Sequence, residues 1–148
     1  MTEPGLLFDA SSLIYALKLR CVEALHGGYV QHLTVYEALS AVWREARSAK
    51  GLRREEAERL AEVLAEVLSY LNVLSIRSCE LEVLRAAIDL GLTVYDASYV
   101  ILAERNGLTL VTEDEELRRK ASRRVRVASL REVLEWRGLC SGKGAEGS

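Results

Sequence analysis

The chain has 148 residues, enough for one well-buried core and too few for two ordinary domains. Apolar residues at 49% and charged residues at 28% exclude a disordered chain, and no apolar run nears the ~20 residues that span a bilayer. A net charge of −2 excludes a chain-wide positive field that would advertise nucleic acid, and the opening MTEPGLLFDAS has no secretory pattern.

Leu6-Leu7-Phe8 reads as a short buried strand with Asp9 at its end. Ser11 and Ser12 are natural caps for a helix through about Leu19. His26-Gly27-Gly28 breaks the pattern, and Tyr29 to Leu33 reads as a second extended segment. Thr34 then caps an amphipathic helix with Val35, Ala38, Leu39, Val42, Trp43 and Ala46 on one buried face, ended by Lys50-Gly51. A long helix from about Arg54 to Leu71 carries the stripe Leu60, Leu64, Val67, Leu68 and Leu71, with Val63 and Tyr70 off it. Val73 to Ile76 is a weak strand, Ser78 starts a helix stopped by Gly91, and Asp96 opens a helix ended by Asn106-Gly107. Leu108 to Val111 is the clearest strand; a helical turn from Glu115, a strand at 125–127 and a helix from Ser129 to Trp136 follow. Residues 1–138 form the predicted single domain, and 139–148 a tail too polar and small to build a core, expected to be disordered.

Short apolar strands alternating with helices predict an α/β fold, a three-layer α/β/α sandwich on a mostly parallel sheet. Ligands of such sheets sit outside the carboxyl ends of the strands. Asp9 and Asp114 fall at that edge directly, while Glu37 and Asp96 fall in first helical turns that start from it. Taken singly, each acid has a capping explanation: Thr34-x-x-Glu37 and Thr112-x-x-Glu115 are both capping boxes by pattern. Asp9 is harder to explain that way, because a carboxylate ending a buried strand is costly unless paired or bound to metal. Recurrence shifts the balance, with all four acids at strand-to-helix junctions of one small domain.

Cys21, Cys79 and Cys140 are odd in number and lack a C-x-x-C pair, which argues against a disulfide framework or a zinc site and for a reducing, cytoplasmic setting. His26 and His32 have no acid or nucleophile in pattern with them and read as surface residues. Residues 118–126 (RRKASRRVR) hold six basic groups and no acid, so Arg118, Arg119, Arg123 and Arg124 are candidate RNA contacts beside Asp114, against the plainer reading of a solvated face. Arg44, Arg47, Lys50, Arg53 and Arg54 form a second basic group, diluted by Glu45, Glu55 and Glu56. Scarce Asn and Gln among abundant Glu, Arg and Leu give a thermophile-like composition.

On FDASSLIYAL, TVYEALSAVW and TVYDASYVILAERNGLTLVTEDEEL, the chain resembles the PIN-domain ribonucleases, and within them the VapC-type toxins of toxin–antitoxin pairs. The resemblance runs from about Leu6 to Trp136. It implies that Asp9, Glu37, Asp96 and Asp114 form the acidic site, with Asp114 favoured over Glu113 and Glu115 by the T-x-D spacing, and that Ser11 and Thr112 are hydroxyls near it. Oxygen-only ligands suit Mg²⁺ or Mn²⁺. The implied activity is endonucleolytic cleavage of RNA, single-stranded or structured, by an activated water. The implied partners are an antitoxin protein and a second copy of the chain in a homodimer, received on the Glu37 helix and the 54–71 helix, with no membrane. The competing readings are a stand-alone RNA-processing PIN nuclease and a non-catalytic PIN-like binding module.

Overall fold

The computed structural model describes residues 3–140. Five strands, β1 (Leu6–Phe8), β2 (Tyr29–Gln31), β3 (Asn72–Leu74), β4 (Thr109–Val111) and β5 (Val127–Ala128), form one sheet in the order β3-β2-β1-β4-β5. Every pairing is parallel, with Leu6, Leu7 and Phe8 opposite Thr109, Leu110 and Val111 at the centre. Seven helices connect and cover them: α1 (Ala10–Lys18), α2 (His32–Arg47), α3 (Arg54–Leu68), α4 (Glu80–Leu90), α5 (Val94–Asn106), α6 (Glu115–Ala121) and α7 (Leu130–Arg137), with a 3-10 turn at Val22–Leu25.

Alternation along the strands divides the interior in two. Leu6, Phe8, Val30 and Val111 face a core built with α1, α2, α3 and α7. Leu7 and Leu110 face the opposite core, built with α4, α5 and α6. The result is the expected three-layer α/β/α sandwich. α5 is buried along most of its length, from Ala97 through Ala103, because it packs against the sheet and against α4. Gly107, at φ 62°, ends α5 in the left-handed conformation that lets the chain turn directly into β4. No single helix among the described residues is long and apolar enough to cross a membrane.

Several local expectations change. Asp9 itself caps α1, accepting from the Ser12 amide, so Ser11 and Ser12 lie inside the helix rather than before it. α2 starts at His32 with Gln31 as its cap, so Thr34 is the third helical residue and its hydroxyl accepts from the Gln31 amide. Of the apolar face expected on α2, Ala38 and Val42 are buried, whereas Trp43 stays 57% exposed beneath the Arg47 guanidinium. The last strand begins at Val127, two residues later than expected, where its amide ladder with β4 can form.

The cysteines correct the reading more sharply. Cys21 and Cys140 form a disulfide across a sequence separation of 119, and only Cys79 is a free, buried thiol. Sequence spacing gave no sign of it, since the fold alone brings the 3-10 turn against the end of α7. Closing so long a loop restricts the unfolded chain by about 4–5 kcal/mol on the chain-entropy account. Leu139 and Cys140, assigned by sequence to the tail, are held here, Leu139 packing on the first core and donating its amide to the Leu134 carbonyl. The rest of the expected tail, residues 141–148, lies outside the described residues. The bond removes the ground on which the cysteine pattern argued for a reducing setting.

Candidate active site

Asp9 leaves the end of β1 and turns its carboxylate into a cage of donors. Its Oδ1 accepts from the Ser11 hydroxyl at 2.7 Å and the Ser12 amide at 3.0 Å, and its Oδ2 accepts from the Thr112 hydroxyl. Both hydroxyls are in turn fixed by the loop after β4: the Glu113 amide donates to Ser11 at 3.0 Å and the Asp114 amide to Thr112 at 3.1 Å. The backbone of one crossover therefore aims two hydroxyls at an acid 100 residues away. Thr112 is not the helix cap that its T-x-x-E spacing offered.

Glu37 lies in the second turn of α2, too far along to cap it, because the helix begins as soon as β2 ends. Its Oε1 instead accepts from the Tyr99 hydroxyl at 2.7 Å, and the Tyr99 oxygen is 2.8 Å from the Thr34 hydroxyl. Thr34, Tyr99 and Glu37 thus form a hydrogen-bonded chain between α2 and α5. Sequence reading passed over Tyr99, since a tyrosine inside an apolar helix reads as core. Its position three residues after Asp96, on the same face, is the signal that was available.

Asp96 is the third residue of α5, behind its cap Thr93, and its carboxylate has no hydrogen-bond partner among the described residues. Asp114 caps α6 by accepting from the Leu117 amide at 3.1 Å, a contact that uses one carboxylate oxygen. Its neighbours are committed elsewhere: Glu113 accepts from the Leu130 amide at the start of α7, and Glu115 pairs with Arg118. Of the three, Asp114 alone lines the pocket.

That pocket, about 360 Å³, is lined by Asp9, Ser11, Glu37, Arg44, Asp96, Tyr99 and Asp114 among others. A larger groove of about 800 Å³ lies elsewhere, between the 3-10 turn and α3, with a mainly apolar lining that also includes Glu23, His26 and Glu66. None of the four acids forms an ion pair among the described residues. Burial pushes the Asp9 carboxyl above the ordinary range despite its hydrogen bonds. Glu37 is raised by burial, against its Tyr99 bond, and by the charges of Asp9 and Asp96. Asp96 is raised by burial and by Asp114 and Asp9, an effect that Lys120 partly offsets.

Uncompensated oxygen ligands of this kind fit a hard divalent cation. No three of these carboxylates bring ligand atoms within 4.8 Å of one another among the described residues. A divalent ion held here would take one or two of these carboxylates directly, with waters completing its shell. The one tighter group, Cys21, Glu23 and Cys140, has its sulfurs locked in the disulfide.

The basic run is split by the fold. Arg124 makes two hydrogen bonds, 2.7 and 3.1 Å, to Glu104, and Arg118 pairs with Glu115. Lys120 pairs with Glu116 and donates to the Gly91 carbonyl. Arg119 and Arg123 are exposed and unpaired among the described residues.

Acids from two strand ends and two helices, converging at the carboxyl edge of a parallel sheet, define a protein built around one acidic centre. The PIN domain model matches residues 6–123, and the chain belongs to the PIN-domain family. It is 42% identical over 127 residues to the protein named exonuclease VapC9 of Pyrobaculum aerophilum, covering 84% of this chain and 91% of that protein. It is 39% identical over 88 residues to ribonuclease VapC3 of the same organism, covering 60% of this chain and 66% of that protein. The crystal structure of PAE2754 from Pyrobaculum aerophilum superposes with a TM-score of 0.74 at 35% identity, covering 90% of this chain and 94% of that one.

Proposed function

We propose that the protein is a metal-dependent endoribonuclease that cleaves single-stranded RNA and acts as the toxin of a toxin–antitoxin pair. The observation that carries this is the acid quartet without a paired cation, three of whose members are held above the ordinary carboxylate range by burial, with repulsion from the other acids adding to it at Glu37 and Asp96. The relatives named exonuclease and ribonuclease VapC support the nuclease class. When bound there, Mg²⁺ or Mn²⁺ would neutralise charge gathering on the phosphate and acidify a coordinated water.

The chain's own residues do the rest. Asp9, locked by Thr112, Ser11 and the Ser12 amide, is the rigid ligand, and Asp96, free of hydrogen bonds, is the second. Glu37 has its Oε1 tied to Tyr99, which leaves Oε2 to orient the attacking water and take its proton. Asp114 would hold a second ion or position a water through the oxygen its cap does not use. The pocket shares Glu37 and Arg44 with a neighbouring groove, along which a strand would run past the acids in an internal cut.

Partners follow the same reading: an antitoxin protein, and a second copy of the chain in a homodimer, in the cytoplasm. Exposed apolar side chains on α2 (Leu39, Trp43), on α3 (Val63) and in the turn after it (Tyr70) are the receiving surfaces expected from the sequence. Leu81, Leu84 and Ile88, exposed at successive turns of α4, add a third stripe suited to self-association.

Incubation with a circular single-stranded RNA in Mn²⁺ tests the assignment. Linear products are expected, absent with EDTA and absent for Asp9→Asn. Cleavage by Asp9→Asn at the wild-type rate would sink it. A circular RNA left intact while linear RNA shortens from one end would replace the internal mode with an exonucleolytic one.

A further inference from the structure

A five-residue pattern, identical but for Glu against Asp, recurs in this chain: Thr34-Val35-Tyr36-Glu37-Ala38 in α2 and Thr93-Val94-Tyr95-Asp96-Ala97 at the start of α5. In each copy a tyrosine immediately precedes a pocket acid. Neighbouring residues on a helix point about 100° apart. When the acids turn into the pocket, the tyrosines are therefore carried to its lip. Tyr36 is 73% exposed and Tyr95 62%, and both line one groove of about 360 Å³ together with Leu33, Glu37, Ser40 and Arg44. That volume lies at the lower end of small-ligand sites, ~300–1,000 Å³. Glu37 and Arg44 line the acid pocket as well, so the two spaces adjoin. Arg44 is exposed and forms no ion pair among the described residues, although four acids line the next space.

We propose that this groove is a nucleotide subsite, in which Tyr36 and Tyr95 stack a base of single-stranded RNA and Arg44 holds a phosphate next to the bond being cut. The inference rests on the ribonuclease reading of the acids and extends it to substrate class. Exposed aromatic faces at a wet groove are what unpaired bases stack on, and they tolerate any base identity. An unpaired guanidinium presents a planar fork to phosphate. A duplex keeps its bases inside its stack, so the subsite selects single strands. Tyrosine and arginine also anchor protein interfaces, and it is the groove's sharing of Glu37 and Arg44 with the acid pocket that favours RNA here. The apolar stripe on α4 carries neither feature, and the larger groove beside α3 has an exposed Tyr70 but no guanidinium in its lining.

The test uses the full chain and a short fluorescent single-stranded RNA, with binding read by anisotropy in Ca²⁺ and cleavage in Mn²⁺. The Tyr36→Ala, Tyr95→Ala double variant should bind at least ~10-fold more weakly, given the usual contribution of a stacked base. Phe at both positions should restore binding, and Leu at both should not. Wild type should bind more weakly to RNA made abasic beside the cleaved bond, whereas the double Ala variant should not distinguish abasic from intact RNA. Arg44→Ala should weaken binding and reduce its salt dependence by about one phosphate contact. Both tyrosines are exposed, so the Ala variants should keep the wild-type melting temperature and its Mn²⁺-induced rise. Double Ala binding within twofold of wild type, or Leu equal to Phe, overturns the subsite while leaving the nuclease reading intact. Wild-type failure to cleave RNA in Mn²⁺ overturns the nuclease reading, and the anisotropy series then still decides whether the groove binds RNA.

Discussion

The acids at the carboxyl edge of the sheet and three of the six bases of residues 118–126 are handled in opposite ways. Asp9, Glu37, Asp96 and Asp114 share one pocket and have no cation paired to them among the described residues. Arg118, Lys120 and Arg124, on or near the surface, each have an acid partner. Exposed pairs cost the fold little and contribute little, ~0–1 kcal/mol each. Buried or half-buried carboxylates with no cation beside them cost the fold stability at neutral pH. A chain keeps such a cost where a ligand will supply the missing charge. The difference separates a region arranged for binding from one arranged for solubility and packing, though the two look equally charged in sequence.

The largest effect should come from Asp96→Asn, which leaves the shape of the pocket and removes one charge. No protein donor holds this carboxylate, so nothing in the fold is left unsatisfied by the amide. Cleavage should fall by at least ~10²-fold, while the metal-free protein should melt at the same temperature or a few degrees higher. A variant that loses activity and stability together would show Asp96 to be a structural residue, and the contrast with the basic run would close.

A smaller effect is expected from pH and metal. Asp9, Glu37 and Asp96 hold protons more tightly in the folded chain than in the unfolded chain. The metal-free protein should therefore gain stability as pH falls from neutral through these raised values, with the gain complete once the ordinary carboxylate range is passed. Mn²⁺ should raise the melting temperature at neutral pH, by about 2.7 kcal/mol of stability at 100 times its Kd. That rise should shrink as pH falls and protons compete for the same oxygens. Calorimetric scans in EDTA and in Mn²⁺ at several pH values check both slopes. A metal-free protein that loses stability steadily on acidification would show the acids to be paired after all.

The sequence made some of this legible and hid the rest for identifiable reasons. Asp9 and Asp114 stood at the ends of short apolar runs, and those runs became β1 and β4 with their ends together. Asp96 stood in the first turn of a helix whose burial all round could be read from YVILA. Glu37 carried the right identity with the wrong local reason, since T-x-x-E looks the same whether or not a helix begins at that threonine. Only the abrupt passage from β2 into α2 settles it. Tyr99 was hidden because its partner lies 62 positions away, and the Cys21–Cys140 bond because it joins sites 119 apart. Local pattern reports junctions well, and it reports pairings across the sheet hardly at all.

The smallest expected effect separates charges within the basic run itself. Arg119 and Arg123 are exposed and unpaired among the described residues, whereas Arg124 is bound at both ends of its guanidinium by Glu104. If α6 meets RNA leaving the acid pocket, Arg119→Glu and Arg123→Glu should each weaken binding a few-fold, with the salt slope falling by about one contact apiece. Arg124→Ala should leave RNA affinity nearly unchanged and lower stability by no more than ~1 kcal/mol, because its charge is already answered within the protein. Salt titrations of binding distinguish these outcomes. Equal losses for Arg119 and Arg124 would mean that RNA displaces Glu104, so that pairing in the free protein does not mark a base as spent. No change at Arg119 or Arg123 would make the whole run a solvated face and leave the cation at Arg44 to guide the strand.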